Sequence, residues 1–558
     1  MRFLFGSSPR QFVTSLKITS VVALTTLFSL PASAAEADKL EDVSRNLDIF
    51  NSLFKELYIN YVDTIPVEKI VTAGINGMLK KLDPYTTYIP EDKDNDFKLM
   101  TMGEYGGIGA LIGVRGDSIV VSQIYSGRPA QKSGLKAGDV ILSIDGKDMI
   151  KKKPSDASTA LKGMPGTNTT VKVWRYGEKK PVKIEITREK ISLNAVRYSG
   201  IVADSIGLIE YSSFYGKSSD EVKQALLDLK KQGAKAIILD LRDNTGGIIT
   251  EAINICNFFL PKGKTIVTTK GKGGKIKEVY KTAYQPIDTD IPLLVLVNGS
   301  SASASEIVSG ALQDEDRAVI MGERTYGKGL VQTTAQLPYG GQLKVTIAKY
   351  YTPSGRCIQE INYTTKDGEQ SKEIPDSLTH EFKTRGGRIV RDGRGIKPDV
   401  ELKSDTGKVI TYNLLVENMF ANWATRYAAS HKSIAPATEF EISDAEYNDF
   451  KQYVLDSKFT YKVSTKELLD DCIKGAKFEG VYERNKALFD SLSVALNHDV
   501  ASEMDSAKTE ICKALAQEII GRYYYETGMA AYAVKHDKEI KQAIDLINDK
   551  ERFNKIIK

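Results

Sequence analysis

A chain of 558 residues is too long for one ordinary core, so several domains are expected. With 41% hydrophobic and 27% charged residues it is globular in composition, not fibrous or disordered. Of the formal charge of +5, three units come from Arg2, Arg10 and Lys17 in the first 34 residues, which contain no Asp or Glu; the rest is nearly neutral, which excludes a basic nucleic-acid footprint.

Those first residues read as a secretory signal peptide. Basic residues precede an uncharged apolar run from Ile18 to Leu30, and Pro31-Ala32-Ser33-Ala34 supplies the small residues of a cleavage site after Ala34. The run is shorter than the ~18–20 apolar residues of a membrane span. The reading is therefore 1–34 as leader and an exported protein, of the bacterial periplasm. From Leu40 the apolar residues fall at Val43, Leu47, Phe50, Phe54, Leu57 and Tyr61, steps of three and four that predict an amphipathic helix. A second helical pattern runs from Val67 to Leu82 and stops at Asp83-Pro84, so 35–102 is a helical region.

Glycines at 103, 106, 107 and 109 then introduce strand-like stretches at Ala110–Val114 and Ser118–Ile124. Ser133–Gly146 reads as turn, buried strand and tight turn, and the stretches 171–175 and 182–186 alternate as half-buried strands do. Residues 103–190 form one small β module. From Ile206 the pattern becomes α/β: strand Ile206–Tyr211, helix Ser219–Gln232, strand Ala236–Leu241, helix Ile248–Phe259, strand Leu293–Val297 and helix Ser303–Leu312. This alternation predicts a mainly parallel sheet with helices packed on it, over 191–404. Within it, 361–394 is a polar insertion containing a hairpin. Beyond 405 the strands stop and a charged helical tail continues to 558.

The chemistry concentrates in the α/β block. The histidines are His380, His431, His498 and His536, so no Ser-His or Cys-His pair exists within residues 206–357. The cysteines at 256, 357, 472 and 512 are scattered, which argues against zinc and leaves pairing or simple burial open. In Val297-Asn298-Gly299-Ser300-Ser301-Ala302-Ser303-Ala304-Ser305-Glu306 an apolar strand gives way to a helix. A serine there is a candidate nucleophile, because free N–H groups and the dipole at a helix N-terminus suit a developing oxyanion. Ser300 or Ser301 could equally be the helix cap. Lys328 stands between Gly327 and Gly329 before another strand; a lysine buried there without a carboxylate loses proton affinity and can deprotonate a serine. The alternatives are a plain loop lysine or a phosphate loop; the second fails because Gly329 occupies the Ser/Thr position and a strand follows. A third feature, Asp240-Leu241-Arg242-Asp243-Asn244-Thr245-Gly246-Gly247, ends a strand in a glycine pair that opens a helix.

Together these motifs resemble the carboxy-terminal processing peptidases of family S41. The resemblance extends over most of 40–400 and includes Leu82–Thr86, Ser133–Gly146, Leu239–Gly247, Ser301–Glu306, Gly327–Gly329, Tyr351–Arg356 and Gly395–Asp399. It implies a multidomain α+β protein: a ClpP/crotonase-like protease core with an inserted PDZ domain, an N-terminal helical region and a C-terminal helical domain. It implies Ser303 as nucleophile, Lys328 as general base and Gln332 as the group orienting the amine. It also implies an oxyanion hole from the N–H of Ala304 and of Gly246 or Gly247. Asp314 matches a position used in some relatives, or pairs with Arg317. The module 103–190 would be the PDZ domain, with Gly106-Gly107-Ile108-Gly109 capturing a substrate C-terminus; Arg175 either links it to the protease body or is solvated. No metal or cofactor is implied. The partners are protein or peptide C-termini, and association of copies through the helical regions is one role open to them. The reading is an exported endopeptidase that grips C-terminal tails; the alternative is a non-catalytic PDZ peptide-binding protein on the same fold.

Overall fold

The computed structural model describes residues 34–91, 102–360, 376–403, 407–496 and 499–557. The leader before Ala34, residues 361–375 of the polar insertion, and His498 lie outside these residues. The chain divides after Met78 into two compact units. The first contains helices α1 (Ala34–Asn60) and α2 (Val67–Leu79). The predicted apolar stripe lies on α1, where Val43, Leu47 and Phe50 are exposed.

The second unit opens with the short strand β1 (Thr87–Ile89). It continues through β2 (Glu104–Gly107), β3 (Ala110–Arg115), β4 (Ser118–Ile124), α3 (Pro129–Lys132), β5 (Val140–Ile144), β6 (Lys147–Asp148), α4 (Pro154–Leu161), β7 (Asn168–Trp174), β8 (Val182–Thr187) and β9 (Glu189–Ser192). Strands 3 to 8 form a sheet of order β3-β4-β5-β7-β8, with β6 paired to β5, while β2 pairs with β9. Alternation decides which side chains enter the core: on β7, Val171 and Val173 are buried while Lys172 and Trp174 face out. Arg175, expected to reach the protease body or to be solvated, does neither. It forms a bidentate pair with buried Asp139 at 2.7 and 2.8 Å and donates to the Gly134 carbonyl, closing the module on itself.

The α/β block runs through β10 (Val196–Ala203), β11 (Ile206–Tyr211), α5 (Ser218–Lys231), β12 (Ala236–Asp240), α6 (Ile249–Phe259), β13 (Thr265–Lys270), β14 (Ile276–Lys281), β15 (Leu293–Val297), α7 (Ala304–Asp314), β16 (Val319–Gly322), β17 (Leu330–Gln336) and β18 (Gln342–Tyr351). A hairpin, β19 (Glu381–Lys383) and β20 (Ile389–Arg391), falls inside the predicted insertion, and β21 (Val400–Glu401) ends the block. The main sheet has the order β10-β11-β12-β15-β16-β21, parallel from β11 onward. A second, antiparallel sheet, β1-β18-β13-β14 with β17 on β18, was not foreseen in the sequence.

Every residue of β12 and β15 is buried, as in strands covered on both faces. On one face Ile237, Leu239 and Val295 meet Val222, Leu226 and Leu229 of α5 together with Ile255 and Val308. On the other, Ile238, Leu294, Leu296 and Met321 lie under Ile540, Ala543, Leu546 and Phe553 of the tail helices Lys538–Asn548 and Lys550–Ile557. The helical tail thus returns to complete the sheet. Each such leucine or isoleucine contributes about 1.5–3 kcal/mol by burial. The tail also has a core of its own, around Phe420, Trp423, Phe450, Leu515 and Ile519. Its helix Lys508–His536 is broken at Tyr525 (φ 56°, ψ −156°), whose ring packs against the core of the β module. Next to it, the Glu526 carboxylate accepts the Ser126 N–H.

Candidate active site

Where β15 ends, the chain turns through Asn298–Ala302 and enters α7 with Ser303 as N-cap. Ser303 has φ 55° and ψ −111°, a conformation unusual for a residue with a side chain; such a strained turn presents its side chain away from the strand and helix it joins. From Ser301 to Glu306, Ser303 alone is not buried. Its neighbouring serines are anchors. Ser301 Oγ donates to the Leu241 carbonyl at 2.7 Å, and Ser305 Oγ to the Asn244 carbonyl at 2.8 Å. Ser301 is therefore not the helix cap that the sequence left open for it; Ser303 stands at the N-cap, and among the described residues its hydroxyl donates to no such carbonyl.

The partner turn is Leu241–Gly247. Buried Asn244 holds it: its Nδ2 donates to the Tyr211 carbonyl, its Oδ1 accepts the Gly246 N–H at 2.9 Å, and its carbonyl accepts the Ala302 N–H. Gly246 (φ +93°) packs so tightly on the serine turn that a Cβ would lie 2.6 Å from the Ala302 oxygen and 2.8 Å from the Ala304 nitrogen. Gly246 is buried and its N–H is taken by Asn244, whereas Gly247 is exposed. Among the described residues, neither the Gly247 nor the Ala304 N–H has a hydrogen-bond partner.

The lysine loop leaves β16 and turns through Thr325–Lys328 into β17. What joins it to the serine is Glu306, a fully buried carboxylate one turn into α7. It accepts the Ser303 N–H at 2.8 Å, the Thr325 hydroxyl at 2.6 Å, the Gly327 N–H at 2.7 Å and the Lys328 N–H at 2.9 Å. Burial pushes its carboxyl up to about 7, against these four donors. Sequence reasoning assigned Glu306 no role; the signal was a carboxylate three residues after Ser303, in the S-x-x-E spacing of a capping box. Tyr350 adds a further tie, its hydroxyl donating to the Ser303 carbonyl at 3.1 Å.

The Lys328 amine is half-buried, and its proton affinity falls to about 8, chiefly by desolvation and secondly by the nearby Lys344. Glu306 and Asp83 oppose the shift. The amine lies 4.4 Å from the ring centre of Tyr85. Gln332 is not hydrogen-bonded to it. A register irregularity between Val331 and Gln332 sets Gln332 opposite Thr346, and its amide donates to the Thr346 hydroxyl at 3.3 Å.

Asp314 pairs neither with Arg317 nor with any group near the serine. It binds Arg356 at 2.8 Å in a fully buried ion pair and accepts the Ser354 N–H, while Arg317 donates to the Phe259, Asp288 and Ile291 carbonyls. The choice of ion-pair partner is tertiary, and sequence neighbours were the wrong guide. In the β module, Gly106 and Gly107 end β2, the buried Ile108 gives its carbonyl to the Ala130 N–H at 2.8 Å, and Gly109 (φ +72°) turns into β3, an edge strand.

Comparison with known proteins gives three family matches: "Peptidase family S41" over residues 205–367, "PDZ domain" over 120–175, and "Probable PDZ-protease, C-terminal helical domain" over 410–547. A carboxy-terminal-processing protease of Bartonella bacilliformis is 36% identical over 337 residues, which are 60% of this chain and 77% of that one. A "Probable CtpA-like serine protease" of Staphylococcus aureus is 33% identical over 404 residues, 72% of this chain and 73% of that one. Among solved structures, a photosystem II D1 C-terminal processing protease is 27% identical, with 63% of this chain and 86% of that chain covered and a TM-score of 0.35.

Proposed function

The chain belongs to the carboxy-terminal processing proteases of peptidase family S41 and carries a PDZ domain, and from that premise we propose that it is a serine endopeptidase working through a Ser303–Lys328 dyad. The observation that carries this reading is the Glu306 carboxylate. By accepting N–H groups from both Ser303 and Lys328, it holds the strained serine turn and the lysine loop at one point.

In the proposed cycle the neutral Lys328 amine takes the Ser303 hydroxyl proton as Oγ attacks the scissile carbonyl carbon. The oxyanion is received by the N–H groups of Ala304 and Gly247, at the positive end of α7. We assign Gly247 and not Gly246 because the Gly246 N–H is already taken. Collapse breaks the C–N bond, and the Lys328 ammonium returns its proton to the leaving amine. Water, deprotonated by the same lysine, then hydrolyses the acyl-serine ester. Gln332 enters this reading as a wall of the site: through Thr346 it joins Thr86 and the Asp83 turn beside the amine.

We further propose that substrates are protein C-termini. Their carboxylates would meet the Gly106–Gly109 loop, and their backbone would add to the free edge of β3. The parallel block is read as a ClpP/crotonase-like core, with domain limits at 103, 190 and 404, and the leader 1–34 as the signal that exports the chain to the periplasm. No helix among the described residues is long and apolar enough to cross a membrane. The test is digestion of a model protein with and without an apolar C-terminal tail, by the intact enzyme and by Ser303→Ala. Tail-dependent cleavage by the first and none by the second is expected; wild-type rates from Ser303→Ala would overturn the dyad.

A further inference from the structure

The amine of Lys328 is enclosed by residues that enter from far away in the chain. Asp83, Pro84, Tyr85 and Thr86 form a tight turn ahead of β1. Asp83 locks this turn by accepting the Tyr85 N–H at 2.8 Å, the Thr86 N–H at 2.7 Å and the Thr86 hydroxyl at 2.9 Å. The turn is then pinned to the second sheet, since Thr86 Oγ1 accepts the Thr346 N–H at 3.2 Å and β1 pairs with β18. Tyr85 is thereby held at two points of the lysine loop. Its ring centre lies 4.4 Å from Lys328 Nζ, and its hydroxyl donates to that of Tyr326 at 3.2 Å.

We propose that Tyr85 is the positioning residue for the general base: its ring is the wall against which the Lys328 amine rests, and its hydroxyl fastens that wall to the catalytic loop. The inference rests on the reading of Lys328 as base. Lysine is a flexible side chain with a compact charge, and its amine has no carboxylate within ion-pair distance among the described residues. A ring face attracts an ammonium while accepting no proton from it. Opposite-sign and like-sign groups also face this amine. Asp83 and Glu306 favour the ammonium, Lys344 on β18 disfavours it, and Tyr326 stands at the loop itself. The ring joins the first pair and limits how far desolvation can lower the proton affinity of the amine.

The experiment measures kcat/KM against pH for the full chain on a tailed protein substrate, comparing wild type, Tyr85→Phe, Tyr85→Leu and Lys328→Ala. Phe keeps the ring face and should leave the midpoint of the acid limb in place. Leu keeps an apolar cover without the π face, and the midpoint should fall by about half a unit to one unit. The plateau kcat of Tyr85→Leu should drop ~10-fold or more, because an unaimed amine spends less time in line with the serine. A Tyr85→Leu enzyme with the wild-type midpoint would overturn the inference, whether its rate is normal or reduced, provided Lys328→Ala is inactive. An active Lys328→Ala would instead remove the dyad, and this inference with it. Thermal unfolding checks each variant, and Tyr85→Met replaces Tyr85→Leu should the latter fail to fold.

Discussion

The two halves of the proposed dyad are built differently. The serine half is a backbone device. Ser303 sits in a strained turn, flanked by buried anchors at Ser301 and Ser305 and pressed against Gly246, and its main chain is held by bonds to its own N–H and carbonyl. The lysine half is an environment: a half-buried amine whose surroundings come from Tyr85, Lys344 and Asp83, none of them its neighbour in sequence. Geometry is therefore fixed on one side and reactivity on the other. Glu306 belongs to both.

The largest expected effect comes from breaking that link. Glu306→Leu leaves the N–H groups of Ser303, Gly327 and Lys328 without their acceptor, the buried Gly327 N–H at about 1–3 kcal/mol and the other two at less. Activity should fall by ~10³-fold or more with a clear loss of thermal stability; an active Glu306→Leu would show that the halves align without it. Gly246→Ala attacks the serine half alone. The added Cβ collides with backbone at Ala302 and Ala304 in a conformation that disfavours side chains, so a loss of ~10²-fold in kcat with a smaller change in KM is expected. A shift of the acid limb in this variant would break the separation, since the lysine environment is untouched.

The pH profile reads the other half. Lys328 must be neutral, so kcat/KM should rise through about pH 8. Glu306 titrates at about 7, and only its ionised form accepts all four donors. Below pH 7 the limb should therefore steepen from one proton toward two. A single-proton limb over the whole acid side would show that Glu306 stays ionised. Smallest is Ser301→Ala, which removes one buried anchor: a loss of about 1 kcal/mol in stability with kcat nearly unchanged.

The same division explains what could be read in advance. The serine-rich turn and the lysine loop stand out in the sequence because their demands are local, small residues at a strand-to-helix turn and glycines on both sides of a lysine; the choice of Ser303 within that turn came from the family resemblance. The strands of the parallel block were legible from apolar runs and alternation. Glu306, Asn244 and Tyr85 were not, because a carboxylate, an amide or a ring declares its role only when a segment 21, 33 or 241 positions distant arrives beside it. The same holds for Arg175 and Asp314, whose ion-pair partners were set by packing. The tail helices show the limit from the apolar side. Their periodicity declares a buried face, but not that the face would be spent on the back of a sheet more than 200 residues earlier.

The broken helix Lys508–His536 can also be considered mechanically. It is a strut with one footing in the PDZ module, where Tyr525 and Glu526 engage, and another at Val534, which joins the core beneath the main sheet. The break gives the strut a shoulder that stops it sliding along its own axis. Any swing of the module that carries it off this footing must first draw Tyr525 out of a packed core and release Glu526 from Ser126. Load applied to the module is then borne partly by the floor of the main sheet.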